Sequence, residues 1–327
     1  MSQRPPRTAA GTALGVVAAA GVAAFAWGSV VERNRFGVRV EVLPILAPGS
    51  KPVRVLHLSD LHMAPWQAGK QAWLRTLAEL EPDLVIDTGD NLGHSDGLLG
   101  VEAALDPLSG IPGVYVHGSN DYFGPVFKNP FNYFLPRRER KYRSANLDTG
   151  ALEEYFDETL GWVNLNNAAT TLDINGTRFE FFGVNDAHRG WDRLDLLPAE
   201  LEVLREGEDE DDPAQTNAVS IGVTHAPYRR VLDAFVTYGA RAIFAGHTHG
   251  GQVRIPGLPA LVTNCDIPAD QAQGLSVWTH AGRRALLNVS AGIGTSIYAP
   301  VRFACPPEAV LVELIAADIA PSDIGYS

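Results

Sequence analysis

Residues 242–251 read AIFAGHTHGG, and the fold can be worked out from this stretch. A short apolar strand is followed at once by His247 and His249, with glycines on both sides of the pair. Histidines in such a loop contribute little to a hydrophobic core, whereas neutral imidazole is a common ligand of transition metals. The stretch therefore predicts a metal site at the carboxyl end of a strand.

The same order, a short apolar strand and then polar residues, occurs four more times before residue 242. The polar residues are Asp60 and His62 after 53–58, Asp90 after 84–86, Asn120 and Asp121 after 114–116, and His225 after 219–223. Helical patterns at 67–80 and 229–238 lie between some of these strands, and this alternation predicts an α/β sheet. Such sheets bind ligands at the carboxyl ends of their strands, so we expect the five loops to converge.

The converging side chains would form a set too large for one metal ion. The set consists of Asp60, His62, Asp90, Asn120, His225, His247 and His249. Mixed carboxylate and imidazole ligands suit Zn, Fe or Mn. Two ions about 3.5–4 Å apart form the clamp that hydrolases use on phosphate esters. We therefore predict two divalent or trivalent transition-metal ions as cofactors.

These motifs resemble the signature blocks of the calcineurin-like metallophosphoesterases, and with the apolar N-terminus they are most similar to the bacterial membrane-associated branch. The blocks are Asp60-Leu-His62, Gly89-Asp90, Gly118-Ser-Asn120-Asp121, His225 and Gly246-His247-Thr-His249. The resemblance implies a four-layer αββα sandwich of two mixed β-sheets flanked by helices, in a domain of residues 35–327. It also implies metal-dependent hydrolysis of phosphate esters, with a hydroxide that bridges two metal ions as the nucleophile.

The resemblance also implies how the ligands are shared. Asp60, His62 and His249 would hold one metal, and Asn120, His225 and His247 would hold the other. Asp90 would bridge the two ions.

The third block departs from the family pattern, Gly-Asn-His-Asp/Glu, in which Asn is a ligand and His assists the leaving group. An ungapped alignment puts Ser119 at the ligand position and Asn120 at the His position. A shift of one residue makes Asn120 the ligand and puts Asp121 at the His position. We prefer the shift because an amide oxygen is a better ligand than a neutral hydroxyl, and we predict Asn120 and Asp121 as catalytic residues. The family histidine is missing in both alignments, which lowers the activity expected on poor leaving groups.

The N-terminal segment, residues 1–34, has a character of its own. No charged residue lies between Arg7 and Glu32, and a bilayer is spanned by about 20 apolar residues. We predict one transmembrane helix, which makes the protein membrane-associated and single-pass, with the body outside the cytoplasm. The alternative is a signal peptide with Ala24-Phe25-Ala26 as its cleavage site.

Charge is unevenly distributed along the 327 residues. The net charge is −12, although residues 1–40 contain five Arg and only one acidic residue. An acidic body disfavours a broad nucleic-acid surface, since phosphate backbones are bound by Lys and Arg. The two cysteines, Cys265 and Cys305, allow one disulfide or none.

Two further stretches bear on the substrate. The basic aromatic segment, Phe123–Arg143, contains six basic residues and one acidic residue, interleaved with aromatics. It is either a surface excursion that packs its aromatics on the body or a contact with the membrane interface and lipid phosphates, which we rank above a platform for single-stranded nucleic acid with the same residue types. The glycine run at 292–296 resembles a phosphate-binding loop only weakly because it lacks a Lys, and we interpret it as a loop beside the site.

These observations favour a membrane-anchored phosphoesterase whose substrate is a lipid-linked or envelope phosphoester. One alternative is a catalytically weak, membrane-anchored metal-binding protein that recognises a phosphorylated ligand, which the unusual third block keeps open. The other is a nuclease of the same superfamily, which the acidic body disfavours.

Overall fold

The structure is a computed structural model, and it describes residues 7–125, 146–206 and 218–317. Most of the basic aromatic segment, residues 126–143, lies outside the described residues. Its contact with a membrane therefore stays a prediction.

Two six-stranded sheets form the centre of the molecule. The first contains, in spatial order, β1 (Gly37–Leu46), β12 (Glu308–Ala316), β2 (Val53–Leu58), β3 (Leu84–Asp87), β4 (Gly113–Tyr115) and β5 (Trp162–Asn164). The second contains β10 (Gly274–His280), β11 (Arg283–Val289), β9 (Ala242–Ala245), β8 (Val219–Thr224), β7 (Thr177–Val184) and β6 (Ala168–Ile174). Both sheets are mixed, because β12 runs antiparallel to β2, and β6 and β10 run antiparallel to their neighbours.

The sheets face each other across an apolar core. Side chains of the first sheet such as Val55 and Ile86 belong to the same buried cluster as Phe181 and Phe244 of the second. Because the central parallel strands are covered on both faces, they carry continuous apolar runs rather than alternating ones. This burial explains why short apolar stretches in the sequence predicted the strands correctly.

Helices cover the outer face of each sheet. The α-helices of the described residues are α1 (Arg7–Ala26), α2 (Ala68–Arg75), α3 (Gly97–Leu105), α4 (Ser119–Tyr122), α5 (Thr149–Glu154), α6 (Leu197–Glu206) and α7 (Arg229–Thr237). Leu74 of α2 and Val101 of α3 pack on the first sheet, and Leu201 of α6 and Phe235 of α7 pack on the second. The predicted arrangement of two mixed sheets flanked by helices is confirmed.

An Asn-Gly pair between two strand-like stretches predicts a type I′ hairpin turn, and residues 170–182 contain one. The Asn175-Gly176 pair joins β6 to β7, with Ile174 opposite Thr177. Asn175 and Gly176 have φ angles of 54° and 84°, the left-handed values that a type I′ turn requires. Cys265 and Cys305 are free thiols, so of the two alternatives the structure has no disulfide.

The apolar helix α1 continues through one π-helical turn and one 3₁₀ turn to Asn34. The span Leu14–Asn34 is long and apolar enough to cross a membrane and is only 6% buried, and a signal sequence passes the same test. We call residues 27–34 the helix foot. The foot packs on the body, since the Gly28 carbonyl accepts a hydrogen bond from the Arg302 amide and the Glu32 carboxylate accepts one from the Cys305 amide. The domain boundary at 34/35 stays a prediction.

The contact between β8 and α7 allows a test of the packing. A Cβ on Gly222 would collide with the ring of Phe235, so we expect Gly222→Ala to lower the free energy of unfolding by about 1–3 kcal/mol. Gly69→Ala is the control, because its Cβ in α2 would meet no atom within 4 Å and alanine favours helix by about 1 kcal/mol. Chemical denaturation of the full chain in neutral detergent measures both. Equal stability of the two variants would contradict the packing.

Candidate metal centre

Five loops meet at the carboxyl ends of β2, β3, β4, β8 and β9. Backbone hydrogen bonds join them directly: the amides of Asp60 and His62 donate to the carbonyls of Gly89 and Asp90, and the Gly246 amide donates to the His225 carbonyl. The predicted convergence is confirmed. The side chains on these loops are therefore held by sheet geometry rather than by one another.

A first group of ligand atoms consists of Asp60, His62 and His249. The two Nε2 atoms of the histidines lie 3.2 Å apart, and Asp60 Oδ1 lies 3.4 Å from His249 Nε2 and 3.9 Å from His62 Nε2. Asp60 Oδ1 is buried and has no hydrogen-bond partner. Because a buried carboxylate oxygen without a partner is costly, this arrangement fits a cation at the centre of the three atoms.

A second group forms around Asp90. Its Oδ2 atom lies 3.6 Å from Nε2 of His225 and 2.6 Å from the side-chain amide of Asn120. The same Oδ2 lies 3.6 Å from His62 Nε2, so Asp90 faces both groups. Nδ1 of His247 is 3.2 Å from Nε2 of His225. All seven predicted ligands are thus brought together, and their assignment as ligands and the bridging role of Asp90 stay predictions.

Outer hydrogen bonds orient the imidazoles. His225 Nδ1 lies 2.7 Å from the Thr88 carbonyl, and His247 Nε2 lies 3.3 Å from the Asn264 carbonyl. A carbonyl accepts only, so each of these ring nitrogens carries the proton and the opposite nitrogen keeps its lone pair for a ligand. In the neutral rings the lone pairs are therefore on His225 Nε2 and His247 Nδ1, and these two atoms lie 3.2 Å apart.

The charges favour a cation in the same place. Burial lowers the pKa of His247 and of His249 to about 3, which leaves both rings neutral. Burial also opposes a charge on His225, but the carboxylates of Asp90 and Asp60 outweigh it and raise the pKa of His225 to about 9. Without metal, a proton on His225 therefore supplies the positive charge that the carboxylates require, and metal binding would displace it.

The backbone of the site is held in an unusual conformation. Five of the predicted ligands have φ angles between 40° and 68°, a region that L-residues other than Asn and Asp rarely occupy. They are Asp60, His62, Asp90, His247 and His249. Left-handed residues cost about 1–2 kcal/mol each and cluster at functional sites.

Glycines let the loops approach the carboxylates closely. A Cβ on Gly118 would collide with the Asp90 carboxylate, and a Cβ on Gly246 would lie 2.6 Å from Asp60 Oδ2. The glycines next to the predicted ligands are therefore required by space around the two carboxylates. Gly118 and Gly246 therefore belong to the motifs because a larger residue at either position would collide with a carboxylate.

The predicted donors and acceptors fit the implied metals. Two carboxylates and four imidazoles, together with one buried carboxylate oxygen that has no partner, suit Zn, Fe or Mn better than Mg or Ca, which prefer oxygen ligands only. Two groups of potential ligands share Asp60, and within each group the ligand atoms lie within 4.8 Å of one another: Asp60 with His62 and His249, and Asp60 with Asp90 and His225. The site therefore contains enough potential ligands for more than one metal ion.

Asp121 is fully buried, and its carboxylate is occupied by backbone. Its oxygens accept hydrogen bonds from the amides of Asp90, Asn91, Leu92 and Gly118 at 2.6–3.2 Å. His117, whose Nδ1 lies 3.5 Å away, lowers the pKa of Asp121 although burial acts the other way. These bonds fix the loop that carries Asp90. Proton transfer by Asp121 stays a prediction.

Two further residues next to the site had little or no sequence signal. Arg302 is fully buried, and its Nη2 lies 3.4 Å from Nδ1 of His249. The ring of His188 lies 4.6 Å from that of His247, and its Nδ1 is 3.0 Å from the Tyr228 hydroxyl. Nothing near Arg302 in the chain marks it, and His188 follows β7 without a motif.

Asp121→Ala tests the holding role of this carboxylate. The substitution leaves four buried amides without an acceptor, so we expect the free energy of unfolding to fall by at least about 3 kcal/mol, together with lower metal content. Asp121→Asn, which keeps one acceptor oxygen, should fall between the alanine variant and the wild type. Denaturant titration and metal analysis measure both effects. An Asn variant with full stability and full metal content but no hydrolysis would instead support the proton-transfer role.

The left-handed backbone gives a second prediction, at His247. In the metal-free protein we expect His247→Gly to be more stable than His247→Ala by about 1 kcal/mol, because glycine adopts φ near 68° without strain. The same pair of substitutions at His280, in strand β10, is the control and should give the opposite order. Thermal unfolding of the four variants measures the difference. An alanine variant as stable as the glycine variant at His247 would contradict the strain.

The chain is similar to solved structures only at low sequence identity. The 12% identical protein TT1561 of Thermus thermophilus aligns over 74% of this chain and 91% of its own, with a TM-score of 0.41. The NAD nucleotidase of Haemophilus influenzae is 11% identical over 74% of this chain and 51% of its own, with a TM-score of 0.43. Likenesses at this level carry no argument about function.

The sequence comparison is more decisive. No curated protein matches the chain. The model of the calcineurin-like phosphoesterases matches residues 53–251, which is more than half of the 327 residues and contains all seven predicted ligands. The family resemblance that the motifs indicated is thereby confirmed. The chain belongs to the calcineurin-like phosphoesterase family.

Proposed function

We propose that this chain is a metal-dependent hydrolase of phosphate esters whose substrate is lipid-linked. The observation that carries the proposal is the position of Asp90, whose Oδ2 lies 3.6 Å from Nε2 of both His62 and His225. A carboxylate between two sets of inward-facing imidazoles is the arrangement that a pair of metal ions needs.

The residues that would hold the metals follow from the two groups. Asp60, His62 and His249 would bind one ion, Asn120, His225 and His247 the other, and Asp90 both. When bound, such ions lower the pKa of water towards neutrality and neutralise the charge that develops on phosphoryl oxygens.

The chain's own contribution is to hold these ligands before substrate arrives. Thr88 fixes the tautomer of His225, and the Ser59 hydroxyl donates to Asp60 Oδ2 at 2.6 Å, which leaves Oδ1 for a metal. The Asp121 carboxylate fixes the loop of Asp90 through backbone amides. Ligands that need no rearrangement lower the cost of reaching the transition state.

The lipid-linked substrate is supported by the N-terminus. The apolar helix is anchored to the body at the helix foot, where Gly28 bonds to Arg302 and Arg302 lies beside His249. If the helix spans a bilayer, this chain of contacts keeps the metal centre close to the membrane surface. The side of the membrane and the fate of the helix as anchor or signal sequence stay predictions.

One observation favours the second candidate, a catalytically weak protein that recognises a phosphorylated ligand. Asp121, which the alignment shifted by one residue puts at the family's histidine position, is buried, and its carboxylate accepts hydrogen bonds from backbone amides. A residue held in this way does not readily protonate a leaving group. Esters with poor leaving groups distinguish the two candidates, because departure of such a group requires a proton, whereas departure of p-nitrophenolate does not. A catalytically weak protein should therefore fail first on these esters.

The test uses the full chain in neutral detergent with Mn, Fe or Zn added. We expect the wild type to bind two metals and to hydrolyse p-nitrophenyl phosphate or bis-p-nitrophenyl phosphate. Asp90→Ala and His249→Ala should each lose at least one metal and reduce kcat/KM about 1,000-fold, which corresponds to about 4 kcal/mol.

His280→Ala is the matched control, because His280 pairs with Asp233 of α7 and its side chain is 41% exposed. It should leave metal content and hydrolysis unchanged. Fewer than one metal per wild-type chain, or hydrolysis that survives both site substitutions, would contradict the proposal. Two bound metals without turnover of any phosphate ester would favour the second candidate.

A further inference from the structure

A cavity of about 540 Å³ lies beside the metal centre, where the helix foot meets the body. Three segments enclose it: the foot itself, the loop and helix start at 66–70, and the loop after β11 at 293–300. The lining residues that matter here are Arg33, Trp66, Lys70, Gly294 and Thr295. Neither the family motifs nor the predicted metal ligands account for it.

Two basic side chains, Arg33 and Lys70, line the cavity and have no acidic partner among the described residues. The Lys70 side chain is 5% exposed, and its Nζ donates to the carbonyls of Leu61 at 2.5 Å and His62 at 3.3 Å. Two of its three N–H donors are thereby used. Arg33 Nε is buried and has no hydrogen-bond partner. Among the residues that the structure describes, no carboxylate lies within 4.0 Å of either cation.

A third cation, Arg302, lies behind the same loop. Its Nη2 donates to the carbonyls of Gly292 and Gly294 at 3.0 and 2.8 Å. Arg302 is also fully buried, its Nε has no partner, and the described part of the chain offers it no carboxylate within 4.0 Å. Unpaired charge is expensive to bury. Arg33 and Lys70 line the cavity and Arg302 lies behind its wall, so the charges around the cavity favour an anion there.

The loop after β11 adds neutral donors. Thr295 is buried, and within the described residues neither its amide nor its hydroxyl makes a hydrogen bond. Gly292 has a φ of 71°, and a Cβ there would lie 2.6 Å from Asp60 Cβ, so this loop passes directly against the metal-ligand loop. The glycine run that lacked a Lys in sequence is therefore next to Lys70 in space. Arginine, lysine, hydroxyl and amide donors are together the groups that bind phosphate.

The surroundings of the cavity are apolar and exposed. Trp66 at its rim is 62% exposed, and Ile255, Leu258 and Leu261 in the nearby loop are 51–59% exposed. That loop is tied to the helix foot, because Val253 pairs with Phe303 and the neighbouring Arg302 bonds to Gly28. Aromatic and aliphatic side chains around the end of an apolar helix favour a membrane interface.

We propose that this cavity binds a phosphate group carried by a membrane lipid. The inference rests on the proposed function in that it names the lipid-borne part of the substrate, whereas the binding itself needs no metal. A lipid headgroup enters from the apolar rim and meets Arg33, Lys70 and Thr295. Lys70 also bonds to the backbone of His62, so the bound headgroup lies next to the first ligand group.

The experiment measures binding by the full chain in neutral detergent micelles. All variants carry Asp90→Ala, so that hydrolysis does not consume the probe. The probes are dihexanoyl phosphatidic acid, dihexanoyl phosphatidylcholine and inorganic phosphate, titrated calorimetrically. We expect phosphatidic acid to bind at least about tenfold more tightly than the other two, because only it combines chains with an exposed anionic phosphate.

Lys70→Met and Arg33→Gln should each weaken the binding of phosphatidic acid by about tenfold or more. Arg35→Gln is the control, since Arg35 is exposed and lies outside the cavity lining; it removes the same charge and should change affinity less than about twofold. If the buried Lys70 variant unfolds, as a thermal scan would reveal, the partly exposed Arg33 variant still decides the outcome.

Three results would overturn the inference. Binding of phosphatidic acid that neither cavity substitution weakens places the lipid elsewhere. Equal loss in the Arg35 control shows attraction by overall charge. Inorganic phosphate that binds as tightly as the lipid, with the same dependence on Lys70, makes this a site for a soluble anion. If phosphatidic acid binds in the cavity but the wild-type protein hydrolyses no phosphate ester, the inference about the cavity stands and the proposed function is contradicted. Failure of the inference is thereby distinguished from failure of the proposed function.

Discussion

The architecture depends on two buried carboxylates that require positive charge, which a proton on His225 supplies when no metal is bound. Asp60 and Asp90 lie at the ends of adjacent parallel strands, and only loops that turn back on themselves bring them face to face. The left-handed backbone at both residues, with φ of 52° and 58°, is what accomplishes this. Because each such turn is unfavourable by itself, it persists only where the flanking strands leave the loop no alternative.

The flanking strands are held in place by the apolar core between the two sheets rather than by contacts within the metal centre. The central strands are buried on both faces, so their ends cannot shift without disturbing the inter-sheet core. The loops are then fastened by backbone hydrogen bonds between neighbours and, for the loop of Asp90, by the Asp121 carboxylate. Destabilising features at the metal centre thus coexist with a stable molecule because they are confined to one edge of both sheets.

The sequence predicted those features that depend on short stretches. Each of these features is visible within a few consecutive residues: the apolar strands, the Asn175-Gly176 turn and the seven polar residues after the strands. The parallel arrangement of the strands then brings their carboxyl ends, and the polar residues that follow them, to one edge of the sheets. The surroundings of Asp121, Lys70 and Arg302 could not be predicted in this way. Their partners are backbone groups distant in sequence, and a lone Lys or Arg in a sequence gives no sign that it will be buried.

The acidic metal centre and the basic cavity beside it are separate in space, so the molecule has neighbouring sites for a cation and for an anion. Asp60, Asp90 and the imidazoles form one cluster whose carboxylates require positive charge, and Arg33, Lys70 and Arg302 form another that has no acidic partner among the described residues. The two clusters are divided by the backbone of Leu61 and His62, to which Lys70 donates its hydrogen bonds. Arg302 reaches as far as His249, yet no carboxylate of the first cluster lies within 4.0 Å of a cation of the second among the described residues. A fold that keeps opposite charges apart in its interior is suited to bind a ligand and a cofactor of complementary sign, and a phosphate ester and a metal pair have those signs.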